Sequence, residues 1–273
     1  MKLYHQELGN ISLAAPLATP MVILHGLFGA SDNWISVGRV LAEKRQVFLI
    51  DQRNHGKSPH STDWDYNAMS NDLQEFLVEK NLTNVILLGH SMGGKTVMNF
   101  ACNQPKTTKN KDFSENIFNI EKLIVADIAP RAYPLHHKAI LEGLLTIDVA
   151  NLASRQAAEE QLAKFVPEND TRNFLLKSLY RDENGKFAWR INIPVINEKI
   201  QGIMNTLEKK QSFDNPTLFI RGGKSNYIRD EDLPLIKTFF PNYELKTIPE
   251  AGHWLHAEKP QEFIKIVTEF LEK

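Results

Sequence analysis

A chain of 273 residues with 42% hydrophobic side chains can bury one large α/β core, with or without a smaller appendage. A formal net charge of -1 and no concentrated basic run leave no electrostatic footprint for nucleic acid, so no such partner is expected. No apolar run approaches the ~18 residues of a membrane span, the N-terminus lacks a charged-then-apolar signal pattern, and the single cysteine excludes an internal disulfide; a soluble, cytoplasmic, reducing location is the expectation.

In chain order, residues 2–7 and 11–15 read as the strands of a hairpin turning through Gly9-Asn10, a pair suited to positive φ. A short buried strand over 21–24 ends in His25-Gly26-Leu27-Phe28-Gly29, and a helix is predicted over 33–42 with Ser31 or Asp32 as its N-cap. The strand over 46–50 runs into Asp51-Gln52-Arg53-Asn54-His55-Gly56-Lys57-Ser58. Met69, Leu73, Phe76 and Leu77 recur at helical spacing and predict a helix over 66–80. A buried strand over 85–88 leads into Gly89-His90-Ser91-Met92-Gly93-Gly94 and a helix over 95–102, which carries Cys102 as a small buried apolar residue. Residues 105–119 are polar and rich in Lys, Thr and Asn, and read as an exposed loop. Strands over 123–126, 217–220 and 243–248 and helices over 231–240 and 260–271 complete the pattern. About eight strands alternating with helices predict an α/β fold, a mainly parallel sheet covered on both faces.

Residues 134–212 break that alternation. They hold four helical patterns (139–145, 154–165, 172–179 and 196–207) and one extended piece over 187–193. So long a stretch is no loop; it reads as a helical cap over the sheet's carboxyl edge, with 1–133 and 213–273 as the core.

Function in such a sheet belongs at the carboxyl ends of its strands. Ser91 sits between a strand and a helix with glycine two residues before and two after, where side chains would collide in a sharp elbow. A serine that merely capped the helix would not need both glycines. Its hydroxyl is a poor nucleophile until a base takes its proton. Gly252-His253-Trp254-Leu255-His256, after the last strand, offers His253 as that base, with His256 as the weaker rival inside the following turn. The backbone N–H groups of Leu27 and Met92 are the expected oxyanion-hole donors. His25, His55, Asp51 and Arg53 are read as loop fasteners rather than chemistry.

Together these residues resemble the α/β-hydrolases and, more narrowly, the small bacterial esterases of the YbfF type. The match rests on the His25, Asp51, Gly89 and Gly252 motifs quoted above, on Asp127-Ile128-Ala129-Pro130 and on Gly222-Gly223-Lys224-Ser225. It spans the whole chain, weakest in the cap, with the connection over 105–119 longer than the family's usual one. The resemblance implies hydrolysis of carboxylic esters or thioesters, acyl-CoA among them, through an acyl-enzyme and without metal or organic cofactor. Ser91 would attack, His253 would shuttle the proton, and a carboxylate would orient the imidazole. Many relatives place that carboxylate in a G-x-x-D turn after the seventh strand, where this chain has Ser225. Asp127, at the carboxyl edge of the preceding strand, is therefore the expected acid and Ser225 an auxiliary hydrogen-bond partner. Asp230 and Asp232 are the rivals, and Asp214 lies at the wrong edge.

Haloalkane dehalogenases and epoxide hydrolases share the fold but use an aspartate at the elbow, which Ser91 argues against. Cofactor-free haloperoxidases and carbon–carbon bond hydrolases keep the serine and stay open as alternatives. A non-catalytic binding module on the same fold fits poorly with an intact nucleophile, base and oxyanion loop.

Overall fold

Alternate side chains of the central strands go to opposite faces of the sheet, and both sets are apolar. Val22, Phe48, Leu87 and Val125 join one buried cluster and Ile23, Leu49, Leu88 and Ile124 the other. Such strands are stable only when helices cover both faces, and the computed structural model, which describes residues 1–9, 18–104 and 118–273, has that arrangement. Seven strands form the main sheet in the order β1-β3-β2-β4-β5-β8-β9. They are β1 (His5–Leu8), β2 (Ala18–Leu24), β3 (Arg45–Ile50), β4 (Asn84–His90), β5 (Asn119–Ala126), β8 (Thr217–Gly222) and β9 (Tyr243–Ile248). Only β1 runs antiparallel, pairing with β3. The expected hairpin partner over 11–15, the eighth strand of the sequence reading, lies outside the described residues, as does most of the loop expected over 105–119.

Helices α2 (Tyr66–Glu79), α3 (Met92–Asn103) and α8 (Leu233–Phe239) cover the first face. The other is covered by α1 (Ile35–Leu41), the single turn α9 (Leu255–Glu258) and α10 (Pro260–Leu271). The chain moves from β2 outward to β3, then crosses back to place β4 on the other side of β2. That reversal brings the loop after β2 beside the loop after β4, with Leu24 level with Gly89, and opens a crevice between them. Neither Ser31 nor Asp32 is the helix cap expected ahead of α1: a 3-10 turn over Ser31–Trp34 comes first, and Asn33 accepts the Ala30 N–H at 2.8 Å.

Between β5 and β8 the chain builds α4 (Lys138–Thr146), α5 (Arg155–Leu162), α6 (Asn169–Leu176), a hairpin of β6 (Leu179–Arg181) and β7 (Phe187–Trp189), and α7 (Ile193–Met204). Two of these helices begin three residues earlier than their periodicity suggests. Pro194 in the first turn sets the start of α7, where its missing N–H costs nothing. The ends of the insertion are tied to the core by Tyr133 N–H on the Met204 carbonyl (2.8 Å) and Leu207 N–H on that of Pro130 (2.9 Å). The buried Lys95 ammonium of α3 donates to the Asn205 carbonyl at 2.7 Å.

The elbow after β4 leaves no room for side chains. A Cβ on Gly93 would press on the Leu24 carbonyl oxygen and come 2.6 Å from that of His25, both backbone atoms of a central strand end. Gly93→Ala should therefore destabilise the fold by about 1–3 kcal/mol or more. Gly202→Ala, in α7 with nothing within 4 Å of the new methyl, should stabilise it by about 0.5–1 kcal/mol. Denaturant unfolding of the two variants checks the contrast; equal effects would mean the elbow is looser than its backbone contacts imply.

Candidate active site

Five loops at the carboxyl edge, those after β2, β4, β5, β8 and β9, build the site. Ser91 is the first residue past β4 and adopts φ 50°, ψ -116°, a strained positive-φ conformation in which a β-branched residue would be an outlier. Its N–H is held by the Ala126 carbonyl at 3.0 Å and its carbonyl accepts the Lys95 N–H of the first turn of α3 at 3.0 Å. The hydroxyl is thereby lifted off the sheet, 3.0 Å from His253 Nε2. On the other side of the ring, His253 Nδ1 lies 2.8 Å from Asp127 Oδ2. Asp127 itself has φ 50° at the end of β5 and is fully buried. Its carboxylate also accepts the Ser225 hydroxyl and, on Oδ1, the Gly222 N–H at 3.0 Å.

The structure thus brings Ser91, His253, Asp127 and Ser225 into one hydrogen-bonded chain, and it sends the rivals elsewhere. Asp230 is exposed and bonded to Arg221 Nη1 at 2.6 Å, and Asp232 pairs with Arg131 Nε at 2.8 Å. His256 is buried under the site, its ring stacked on Trp34 with centroids 4.0 Å apart and planes at 6°. The loop fasteners behave as read. His55 Nε2 accepts the Phe28 N–H at 3.2 Å, and His25 Nε2 accepts that of Gln52 at 3.0 Å. Asp51 takes the Ser31 and Lys57 N–H groups, and Arg53 grips Asp72 through Nε and Nη2 at 2.5 and 2.8 Å. His25 and His55 therefore hold the loop that carries Leu27. Gly26, just before it, faces Ser91 so closely that a Cβ there would lie 3.1 Å from the serine Cβ. Met92 opens α3, where the first N–H groups of a helix have no intrahelical acceptor.

Two contacts that hold His253 were not expected. Tyr227 stacks flat on the His253 ring, centroids 3.8 Å apart and planes at 15°. Behind the ring, His90 Nε2 is hydrogen-bonded to the His253 carbonyl at 2.8 Å. His90 was visible as the variable residue of the elbow, whereas nothing in the sequence pattern marks Tyr227. Burial drives both members of the central pair toward their neutral forms: it lifts the Asp127 carboxyl to about 7, against the pull of Ser225 and Gly222, and lowers His253 from 6.5 to about 3. At 2.8 Å each ion stabilises the other, so the two titrate as a pair. Burial thus keeps the imidazole neutral at neutral pH, the form able to accept a proton.

Ser91 and His253 open into a cavity of about 360 Å³ whose walls are largely apolar: Leu27 and Phe28 from the core, Ile140, Phe165 and Phe174 from the insertion, and Trp254. That is the size and character of a small-molecule site with few, convergent polar groups.

Residues 19–110 and 130–260 match the family described as alpha/beta hydrolase fold. The sn-1-specific diacylglycerol lipase ABHD11 of Danio rerio is 38% identical over 263 residues, covering 93% of this chain and 79% of that protein. Esterase YbfF of Escherichia coli is 34% identical over 254 residues, covering 93% of each. Among solved structures, a marine microorganism esterase superposes with a TM-score of 0.88 at 42% identity, over 98% of this chain and 99% of that one.

Because His256 packs on Trp34, and it is His253 whose ring is hydrogen-bonded to Ser91, His256→Ala should act on the fold. The expected loss is about 1–3 kcal/mol of stability, for a buried aromatic contact and the space left behind, with less than a tenfold fall in ester turnover. Paired unfolding and initial-rate measurements on one preparation decide it. Intact stability with abolished turnover would make His256 part of the chemistry.

Proposed function

This chain belongs to the α/β-hydrolase family and is an esterase-like serine hydrolase, and we propose that it cleaves acyl esters or thioesters through a Ser91–His253–Asp127 triad and an acyl-enzyme. The observation that carries the reading is the unbroken path from Ser91 Oγ to His253 Nε2 (3.0 Å) and from Nδ1 to the Asp127 carboxylate (2.8 Å). Ser91 attacks the substrate carbonyl carbon while its proton passes to His253 Nε2. Asp127, ionised, holds the Nδ1 proton in place and stabilises the imidazolium. The Leu27 and Met92 N–H groups face the oxygen on which negative charge develops, a contribution worth about 10²–10³ in rate per donor. As the intermediate collapses, the carbon–oxygen or carbon–sulfur bond breaks and the leaving alcohol or thiol takes the proton from His253. Water then repeats the attack on the acyl-enzyme, giving up its proton to His253, and the carboxylic acid departs with Ser91 restored.

Residues 134–212 act as a cap in this reading. Their apolar helices wall the cavity beside Ser91, where the acyl chain would lie and from which water is held off. The named activities of the relatives, a diacylglycerol lipase and an esterase, support acyl substrates of this kind; acyl-CoA thioesters fit the same chemistry. Ser225, hydrogen-bonded to Asp127 and accepting the Tyr227 N–H at 3.2 Å, is a positioning residue for the acid.

Ser91→Ala should lower kcat on p-nitrophenyl esters by about 10⁶-fold and Asp127→Asn by about 10⁴-fold, while Ser225→Ala costs at most about tenfold, the scale of one hydrogen bond. In the wild type, kcat/KM should fall as pH drops, with the acid limb at or below 6.5, because the protonated base is inactive and burial disfavours the imidazolium. Asp127→Asn removes the charge that stabilises imidazolium, so its limb should move to lower pH still. Retention of more than a few per cent of kcat in Ser91→Ala, after active-site titration, would end the assignment.

A further inference from the structure

The imidazole of His253 must carry a positive charge twice in each turnover, once when Ser91 gives up its proton and once when water does. Around the ring that charge finds little to offset it. Among the described residues Asp127 is the one carboxylate hydrogen-bonded to it, at 2.8 Å on Nδ1. Glu258, from the turn after β9, is occupied by the Gly252 and Trp254 N–H groups, and Glu168 stands on the cavity wall. The other titratable neighbours add no negative charge. His90, at the end of β4, has its ring 4.7 Å from that of His253, and His256 lies 4.8 Å from His90. His25 from the loop after β2 and His136 and His137 from the insertion line the same cavity. Arg131, just ahead of the insertion, is paired with Asp232 and donates to the Asn226 carbonyl at 3.1 Å.

Tyr227 is the group that faces the ring itself, stacked at 3.8 Å between centroids with planes at 15°. Two neutral aromatic rings prefer an offset or edge-on approach, because their electron-rich faces repel. A cation set over such a face is attracted to it. Trp34 lies equally flat on His256, but that ring stands outside the hydrogen-bonded chain, its Nδ1 without a partner among the described residues. The Tyr227 stack covers the ring that gains a proton. The phenol is also held in the form that favours this. His136 Nδ1 lies 2.8 Å from the Pro134 carbonyl and so carries the proton, which leaves Nε2 to accept the Tyr227 hydroxyl at 2.6 Å. Burial lifts that hydroxyl to about 12, so at neutral pH it remains a donor. Donating a hydrogen bond polarises the phenol and makes its face richer in electrons.

We propose that Tyr227 stabilises the His253 imidazolium through its π face, a positioning residue that supplies part of the base's strength from outside the triad. The inference rests on the hydrolase reading above and deepens it. As Ser91 Oγ bonds to the carbonyl carbon, its proton moves to Nε2 and the positive charge spreads over the ring that Tyr227 covers. When the leaving alcohol or thiol takes that proton, the contact is again one between neutral rings. The attraction therefore belongs to the transition state rather than to bound substrate, and it acts on kcat rather than KM.

The test keeps the shape at position 227 and changes only the charge distribution of the face. Tyr227→Phe is compared with monofluoro-, difluoro- and pentafluorophenylalanine at the same position, since fluorine draws electrons from the ring and five reverse its polarity. With p-nitrophenyl butyrate, kcat should fall stepwise along the series, by about tenfold or more from first to last, with KM unchanged. The acid limb of kcat/KM should move to lower pH in step, because a face that no longer attracts the cation leaves imidazolium harder to form. Equal rates and an unmoved limb across the series, or rates that fall with the limb fixed, overturn the role of the face while leaving ester hydrolysis standing. A wild type that turns over no p-nitrophenyl ester overturns the hydrolase reading and this inference with it.

Discussion

The close approach of backbone to backbone at the end of β4 is the constraint on which the site depends. Gly89, Gly93 and the Leu24–His25 carbonyls pack so tightly that the chain can turn from strand to helix only with Ser91 at positive φ. Such a conformation costs about 1–3 kcal/mol and persists only where its surroundings over-determine it. Here the surroundings are the sheet itself: the Ser91 N–H is bonded to β5, and α3 is packed across the buried face. Asp127 repeats the device one strand over, again at positive φ and again bonded to the neighbouring strand, through its N–H to the Ile220 carbonyl at 2.8 Å. Two strained residues at adjacent strand ends thus fix the two ends of one imidazole's hydrogen bonds.

A buried carboxylate needs its charge compensated, and among the described residues no lysine or arginine pairs with Asp127. Three hydrogen-bond donors stand in for one: the Gly222 N–H, the Ser225 hydroxyl and the His253 ring. This explains why a serine can occupy the turn after β8. In the proposed triad the acid stands at the end of β5, and that turn supplies a hydrogen bond to the carboxylate instead of the carboxylate itself. Gly222 must be small for the same reason, since it packs against the Gly252 carbonyl that precedes the base.

How much of this was legible in the sequence follows from the range of the interactions. The core strands and most helices were readable because periodicity and turn chemistry are local; β9 and α10 begin and end where the pattern places them. Ser91, His253 and Asp127 were readable because each sits at a strand's carboxyl end, a position that topology alone makes significant. Ser225 could be placed beside them through the turn it occupies. Tyr227 could not, because a ring stacked on the base depends on a loop path no pattern encodes. The buried Lys95 was equally hidden. On a helix it reads as solvent-facing, yet its ammonium lies between the Tyr66 and Tyr133 rings and ties α3 to the end of the insertion. The hairpin of β6 and β7 carried a signal that periodicity overshadowed: Asp182-Glu183-Asn184-Gly185, with Gly185 at φ +74° and Asp182 accepting two backbone N–H groups.

The hydrogen-bonded chain of Ser91, His253, Asp127 and Ser225 comes wholly from the core, whereas the walls of the cavity, polar His136 and Glu168 included, draw on the insertion. Tyr227 couples the two parts beside His253. Its ring covers one face of His253, its carbonyl accepts the Tyr133 hydroxyl at 2.6 Å, and its own hydroxyl is bonded to His136 Nε2 at 2.6 Å. Tyr133 and His136 lie on the stretch that leads from β5 into α4. A displacement of that stretch would therefore carry the stacked ring with it and change the orientation of the imidazole, without touching Ser91 or Asp127. Replacing the walls while preserving the 133–136 contacts would therefore leave the geometry of the proposed triad intact.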